Sequence, residues 1–167
     1  AAAYENLSGT NQIQRAILRM MDPLDFATFL IDLEGDVREI LRLDYIGLVF
    51  ETRKSGVETF RASLGDSDVV KFVPAGFIDN YITLDRNVPV RDVVLRTVTT
   101  HVDEIYSNGL SLIKSEALLK LGFGAGRLPG MLVLGAEDPY QFSPHKGTDL
   151  LAFFGGVCER IMKHRLA

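Results

Sequence analysis

The run "GMLVLGA", residues 130–136, constrains the fold more than any other stretch of the chain. It is apolar along nearly its whole length, the character of a strand in the middle of a sheet. "EDP" follows and stops it, because proline has no N–H to give to a central ladder. Phe142 can then fold back as an apolar plug. Ser143 offers an N-cap side chain, and Pro144 has the fixed φ that suits the first helical position. From Ser143 to about Arg165 the pattern predicts a long helix. Leu150, Leu151, Phe153, Phe154, Val157, Cys158 and Ile161 form its buried face. Gly155 and Gly156 lie inside it, where each costs about 1 kcal/mol against alanine. Close approach of another backbone is one physical reason to tolerate them.

Upstream, "TNQIQRAILRMM" reads as a helix, with Thr10 or Asn11 as N-cap and Ile13, Ile17, Met20 and Met21 at helical spacing. Asp22-Pro23 interrupts it, since the residue before proline disfavours the α region. A second helix runs from Pro23 to Leu43. In it Phe26, Leu30, Leu33, Val37 and Ile40 recur at intervals of four, three, four and three, a short heptad seam. Such a stripe serves either a dimer seam or a helix packed on its own sheet. The period then changes. "YIGLVFET" is a strand, and "GVETFRASL" alternates as a second one after the turn "KSG". "VVKFVPAGFIDNYIT" is split by Pro74 and Gly76 into a strand and a short helix. "RDVVLRTVTT" and "SEALLKL" are further strands, and "HVDEIYSNG" is a loop or short helix. Strands grouped between helices predict an α+β fold: a central antiparallel sheet flanked by helices. An N-terminal helical arm, 1–43, precedes a sheet domain, 44–167.

The chain has 167 residues, a net charge of −4 and no Lys/Arg-rich run, which argues against direct nucleic-acid binding. No apolar run is long enough to span a bilayer, and the N-terminal residues lack the basic start and apolar core of a secretory signal. With one cysteine, Cys158, no disulfide forms within the chain, and the expectation is a cytoplasmic protein. Catalytic signatures are missing. His101, His145 and His164 are far apart and form no metal-ligand pair, and no G-x-S-x-G elbow is present. The glycines of "LGFGAGRLPG" run from strand to strand, whereas a phosphate loop runs from strand into helix, so they read as a hairpin loop. No enzyme activity and no cofactor are expected.

The stretch from "SEALLKL" through "GMLVLGAEDPYQFSPHKGTDLLAFFGGVCERI" resembles the C-terminal half of the bacterial domain-of-unknown-function family 484, which is itself similar to GAF domains. The matching elements are Ser115, Glu116 and Ala117, then Gly135, Asp138, Pro139, Phe142, Gly147, Thr148 and Asp149. The likeness spans residues 20 to 166 and is strongest after residue 110. It implies a GAF-like layout, with a ligand lodged between the sheet and the irregular middle segments. Parts of 70–85, 96–106 and 115–121 would line that site, with Arg96, Thr100, His101, Tyr106 and Ser115 as its polar groups. It also implies a protein partner linked to a tyrosine recombinase, whose gene often neighbours the family's.

The reading that follows is a non-catalytic GAF-like regulatory or interaction module. It is expected to be a homodimer through Phe26, Leu30, Leu33, Val37 and Ile40, with no membrane contact. The alternative is a sensor that binds a metabolite or small anion.

Overall fold

A computed structural model describes residues 2–53, 68–98, 105–106, 112–144 and 147–166. Helix α1 spans Ala2–Met21, and α2 spans Phe26–Asp32. The second helix continues through a π turn, Leu33–Val37, into a last short turn α3, Arg38–Ile40. Strand β1 is Tyr45–Thr52, β2 Val70–Pro74, helix α4 Phe77–Thr83, β3 Val93–Thr97, β4 Ser115–Leu121 and β5 Gly130–Ala136. Helix α5, Asp149–Leu166, closes the described chain. The predicted strand "GVETFRASL" and the loop "HVDE" lie outside the described residues.

The five strands form one sheet in the order β2-β1-β5-β4-β3. The run 130–136 is its middle strand, as its apolar character requires. The sheet is mixed where an antiparallel one was expected. β1–β5, β5–β4 and β4–β3 are antiparallel, but β2 runs parallel to β1, with Leu48 opposite Val70. The glycine-rich segment does join two antiparallel neighbours, β4 and β5, and Gly124 and Gly126 supply its left-handed conformations at φ 112° and 77°.

Alternation along each strand sends side chains to two separate cores. Ile46, Leu48, Phe50, Ala117, Leu119, Leu132 and Leu134 point to one face, where α1, α2 and α5 cover them. Val49, Leu118, Met131 and Val133 point to the other, beneath α4 and residues 105–106. The arm is part of the first core. Ile13, Met20, Phe29, Leu30, Leu33 and Val37 join the sheet residues in one cluster, so position 43 marks a change of secondary structure inside a shared core.

This placement corrects the dimer seam. Leu30, Leu33 and Val37 have no accessible surface within a single chain, and Phe26 and Ile40 pack partly buried against the same cluster. A side chain fully enclosed by its own domain has no area left to bury against a second copy. The stripe is the inward face of a helix packed on its own sheet. Among the described residues, the large exposed apolar side chains of the arm are others: Leu18, Met21, Leu24 and Ile31.

Both predicted N-caps of the long helices move. Thr10 and Asn11 lie inside α1, because packing against α5 carries the helix upstream; Gly9 sits against Leu150. For the last helix, Ser143 is held in a turn by the Tyr140 carbonyl, and Phe142 is buried as the plug. The helix starts later, where the Thr148 carbonyl accepts the Ala152 N–H at 2.8 Å. Asp25, by contrast, caps α2 with its side chain, accepting from the Thr28 N–H at 2.8 Å. Gly155 does mark a close approach, but to a side chain: a Cβ there would come within 2.9 Å of Leu119 Cδ2.

Candidate functional site

Period-two alternation also decides which polar residues meet. On β3, Arg96 points to the α4 face, and its antiparallel partner on β4 is Glu116. Glu116 is 1% exposed, one of three buried polar or charged residues among those described. A carboxylate taken out of water must be repaid by hydrogen bonds, and three side chains supply them. Arg96 Nε donates to Oε2 at 2.7 Å. Tyr106 Oη donates to Oε1 at 2.6 Å. Tyr81 Oη, from α4, donates to Oε1 at 2.9 Å and leans toward Oε2 at 3.2 Å. The Arg96 guanidinium also donates to the Ile82 carbonyl at 3.1 Å and lies 4.8 Å from the centre of the Tyr81 ring. These contacts knot β3, β4, α4 and residue 106 around one carboxylate.

The electrostatics follow from the enclosure. Burial, and then the neighbouring Glu116 charge, push both Tyr81 and Tyr106 well above the ordinary phenol range. They are fixed as neutral donors. Tyr45 stacks edge-on against Tyr106, ring centres 5.1 Å apart, and burial raises it to about 12, with Glu34 adding to the effect. Lys71 of β2 reaches the same face. Its ammonium donates to the Ile105 carbonyl and stands 6.0 Å from the Tyr45 ring centre, and burial lowers its pKa.

A second buried carboxylate serves α4. Glu51, 7% exposed, accepts from the Gly76 and Ile78 N–H groups at 2.9 and 3.0 Å. It thereby fills the helix start with a side chain from β1. Gly76 takes a left-handed φ of 91°, which frees its N–H to turn toward that carboxylate.

The predicted site residues therefore divide. Arg96 and Tyr106 come together on Glu116. Ser115 is corrected: its β4 position points it to the opposite, helix-covered face, one residue out of phase with Glu116. There its hydroxyl donates to the Asp138 carbonyl at 2.6 Å and accepts the Phe142 N–H at 3.3 Å, a latch for the segment after β5. Thr100 and His101 lie outside the described residues. Sequence reasoning missed Glu116 and Tyr81 as site residues. The available signal was an acid next to the apolar run of "SEALLKL", which on an inner strand demands a buried cation or donor.

The arrangement holds a charge in place. Every donor aimed at Glu116 is itself part of the packing. Cys158 is fully buried in α5, and its thiol is pushed up to about 12, chiefly by burial. Among the described residues no group of three or more metal-ligating side chains occurs, and no helix is long and apolar enough to cross a membrane. Comparison with known proteins returns no matching family model and no matching curated protein.

Proposed function

We propose that this chain is a non-catalytic regulatory or interaction module, GAF-like in design and similar to domain-of-unknown-function family 484. The Glu116 knot carries the proposal. On the face where a GAF-type ligand would lie, Tyr81, Tyr106 and Arg96 spend their polar groups on Glu116. That arrangement suits transmitting or presenting a surface better than turning over a substrate.

Lys71 favours a second reading, a sensor for a small anion. Its ammonium faces the same core, meets a backbone carbonyl, and has no carboxylate within ion-pair distance among the described residues. Native mass spectrometry of gently purified protein separates the two. A reproducible added mass that disappears in Lys71→Met supports the sensor. Bare protein masses in both samples support the interaction module. Among the described residues, Leu18, Met21, Leu24 and Ile31 are the large exposed apolar side chains of the arm and the candidates for self-association through it. Light scattering on Leu24→Asp/Ile31→Asp reads that directly. A dimer that persists in the variant removes the arm from the proposal.

A further inference from the structure

β3 is an outer strand of the sheet. In an antiparallel pair, alternate residues turn their N–H and C=O toward the partner and the rest turn away. The bonds from Lys120 N–H to the Asp92 carbonyl and from Val98 N–H to the Lys114 carbonyl, both 2.8 Å, set the phase. Residues 92, 94, 96 and 98 face β4. Val93, Leu95 and Thr97 therefore direct three N–H and three C=O groups outward, and none has a partner among the described residues.

The strand carries no proline and its register with β4 has no bulge, two of the devices that blunt sheet edges. The edge opens onto a groove of about 580 Å³ between β3, the segment after α4, and residues 144 and 148. The apolar part of the lining includes Leu84 and Val88, both about half exposed at 48% and 50%. The charged part, among the described residues, is Arg86, Arg91 and Arg96, with no carboxylate. Arg96 is committed to Glu116. Arg86 and Arg91 have no ion-pair or side-chain hydrogen-bond partner among the described residues.

We propose that the β3 edge takes an extended, acidic peptide segment of another protein as an added strand. Main-chain pairing uses the outward groups of Val93, Leu95 and Thr97, and Arg86 and Arg91 select for carboxylates on the incoming strand. Inorganic anions fit less well, because half of the free edge groups are acceptors. A second copy paired through β3 fits less well too, since it brings the same arginines against these ones. The proposal rests on the interaction-module reading and gives it a surface.

The test uses an acetylated, amidated peptide of about seven residues alternating glutamate with valine, long enough to cover a five-residue strand. Its lysine–valine counterpart is the control, and both are titrated into ¹⁵N-labelled protein. The glutamate peptide should shift the amides of Val93, Leu95 and Thr97 and bind more tightly than the lysine peptide. Arg86→Ala/Arg91→Ala, both at exposed positions, should weaken it about fivefold. Thr97→Pro removes one outward N–H and leaves the β4 ladder whole, because Thr97 does not donate to β4. It should weaken binding roughly tenfold or more with little change in the thermal melt.

Absence of shifts, equal binding of the lysine peptide, or full binding by a folded Thr97→Pro variant overturns the proposal. So do the same shifts produced by inorganic phosphate, which mark an anion site, or by raising protein concentration alone, which mark a second copy. The native-mass comparison above is independent of this edge, so the strand proposal can fail while the module reading stands.

Discussion

Replacing Glu116 by glutamine tests how much of the α4 face depends on one charge. The substitution keeps size and shape and removes the negative charge. It also turns one acceptor oxygen into an NH₂ donor. Whichever way the amide sits, either Arg96 Nε or the pair of tyrosine hydroxyls then meets a donor in place of an acceptor, at present distances of 2.7, 2.9 and 2.6 Å. Arg96, whose side chain is 14% exposed, keeps its charge and loses its counter-ion. Removing one partner of a buried ion pair costs about 3–5 kcal/mol. With a urea m-value near 2 kcal/mol per molar, the midpoint should fall by about 2 M. Urea unfolding followed by far-UV circular dichroism reads this. A double-mutant cycle with Arg96→Met isolates the pair, and the double variant should be more stable than the sum of the two single losses predicts. A Glu116→Gln loss below about 1 kcal/mol, the scale of an exposed pair, would refute the view that this carboxylate organises the face.

Three other outcomes can be checked in the same way. Tyr45, Tyr81 and Tyr106 hold their protons to higher pH in the folded chain than in the unfolded one, where a phenol titrates near 10. Their contribution is complete below about pH 10. Above it stability should fall by up to ~1.4 kcal/mol per pH unit for each tyrosine, and Tyr106→Phe should flatten that slope in urea melts at pH 9 to 11. Gly156→Ala should raise the melting temperature, because its Cβ meets only the flexible Arg160 tip at 3.4 Å. Gly155→Ala should lower it, because the Leu119 contact at 2.9 Å forces the packed core to shift, at about 1–3 kcal/mol. Ser115→Ala should cost about 1–2 kcal/mol, chiefly through the orphaned Phe142 N–H, since the Asp138 carbonyl keeps the Gln141 N–H at 3.3 Å, and a thermal melt unchanged within error would show that the latch is idle.

Much of the frame was readable from period and punctuation. The strands at 45–52, 115–121 and 130–136 have the predicted limits, since apolar or β-rich runs end there at turn-forming residues. Pro74 and Gly76 divided β2 from α4 as proline and glycine chemistry requires. What period and punctuation did not give are features that depend on a distant partner. A capping side chain at Ser143 is a local signal, yet the helix begins only at Asp149, beyond a Phe142 whose N–H the Ser115 hydroxyl accepts. The spacing from Phe26 to Ile40 shows which face of a helix is apolar and not what covers it. The parallel run of β2 beside β1 depends on the path of the intervening chain, which residue types do not specify. Ser115 and Glu116 are neighbours in sequence yet belong to opposite sides of the sheet. Only the strand register says which of them reaches Arg96.

Helix α4 has seven residues, too few to persist in water by its own hydrogen bonds. It endures because the sheet holds it from several directions. Glu51 grips its first turn from β1, Lys120 reaches Asp79 from β4 at 2.7 Å, and Arg96 and Glu116 take its last turn at the Ile82 carbonyl and Tyr81. Letting it go would strip Glu51 of both donors at the helix start and Glu116 of one of its three. Its opening is thus tied to the loss of the sheet itself, and its amides belong on the exchange timescale of global unfolding, alongside those of β4 and β5, despite its place on the outside of the fold.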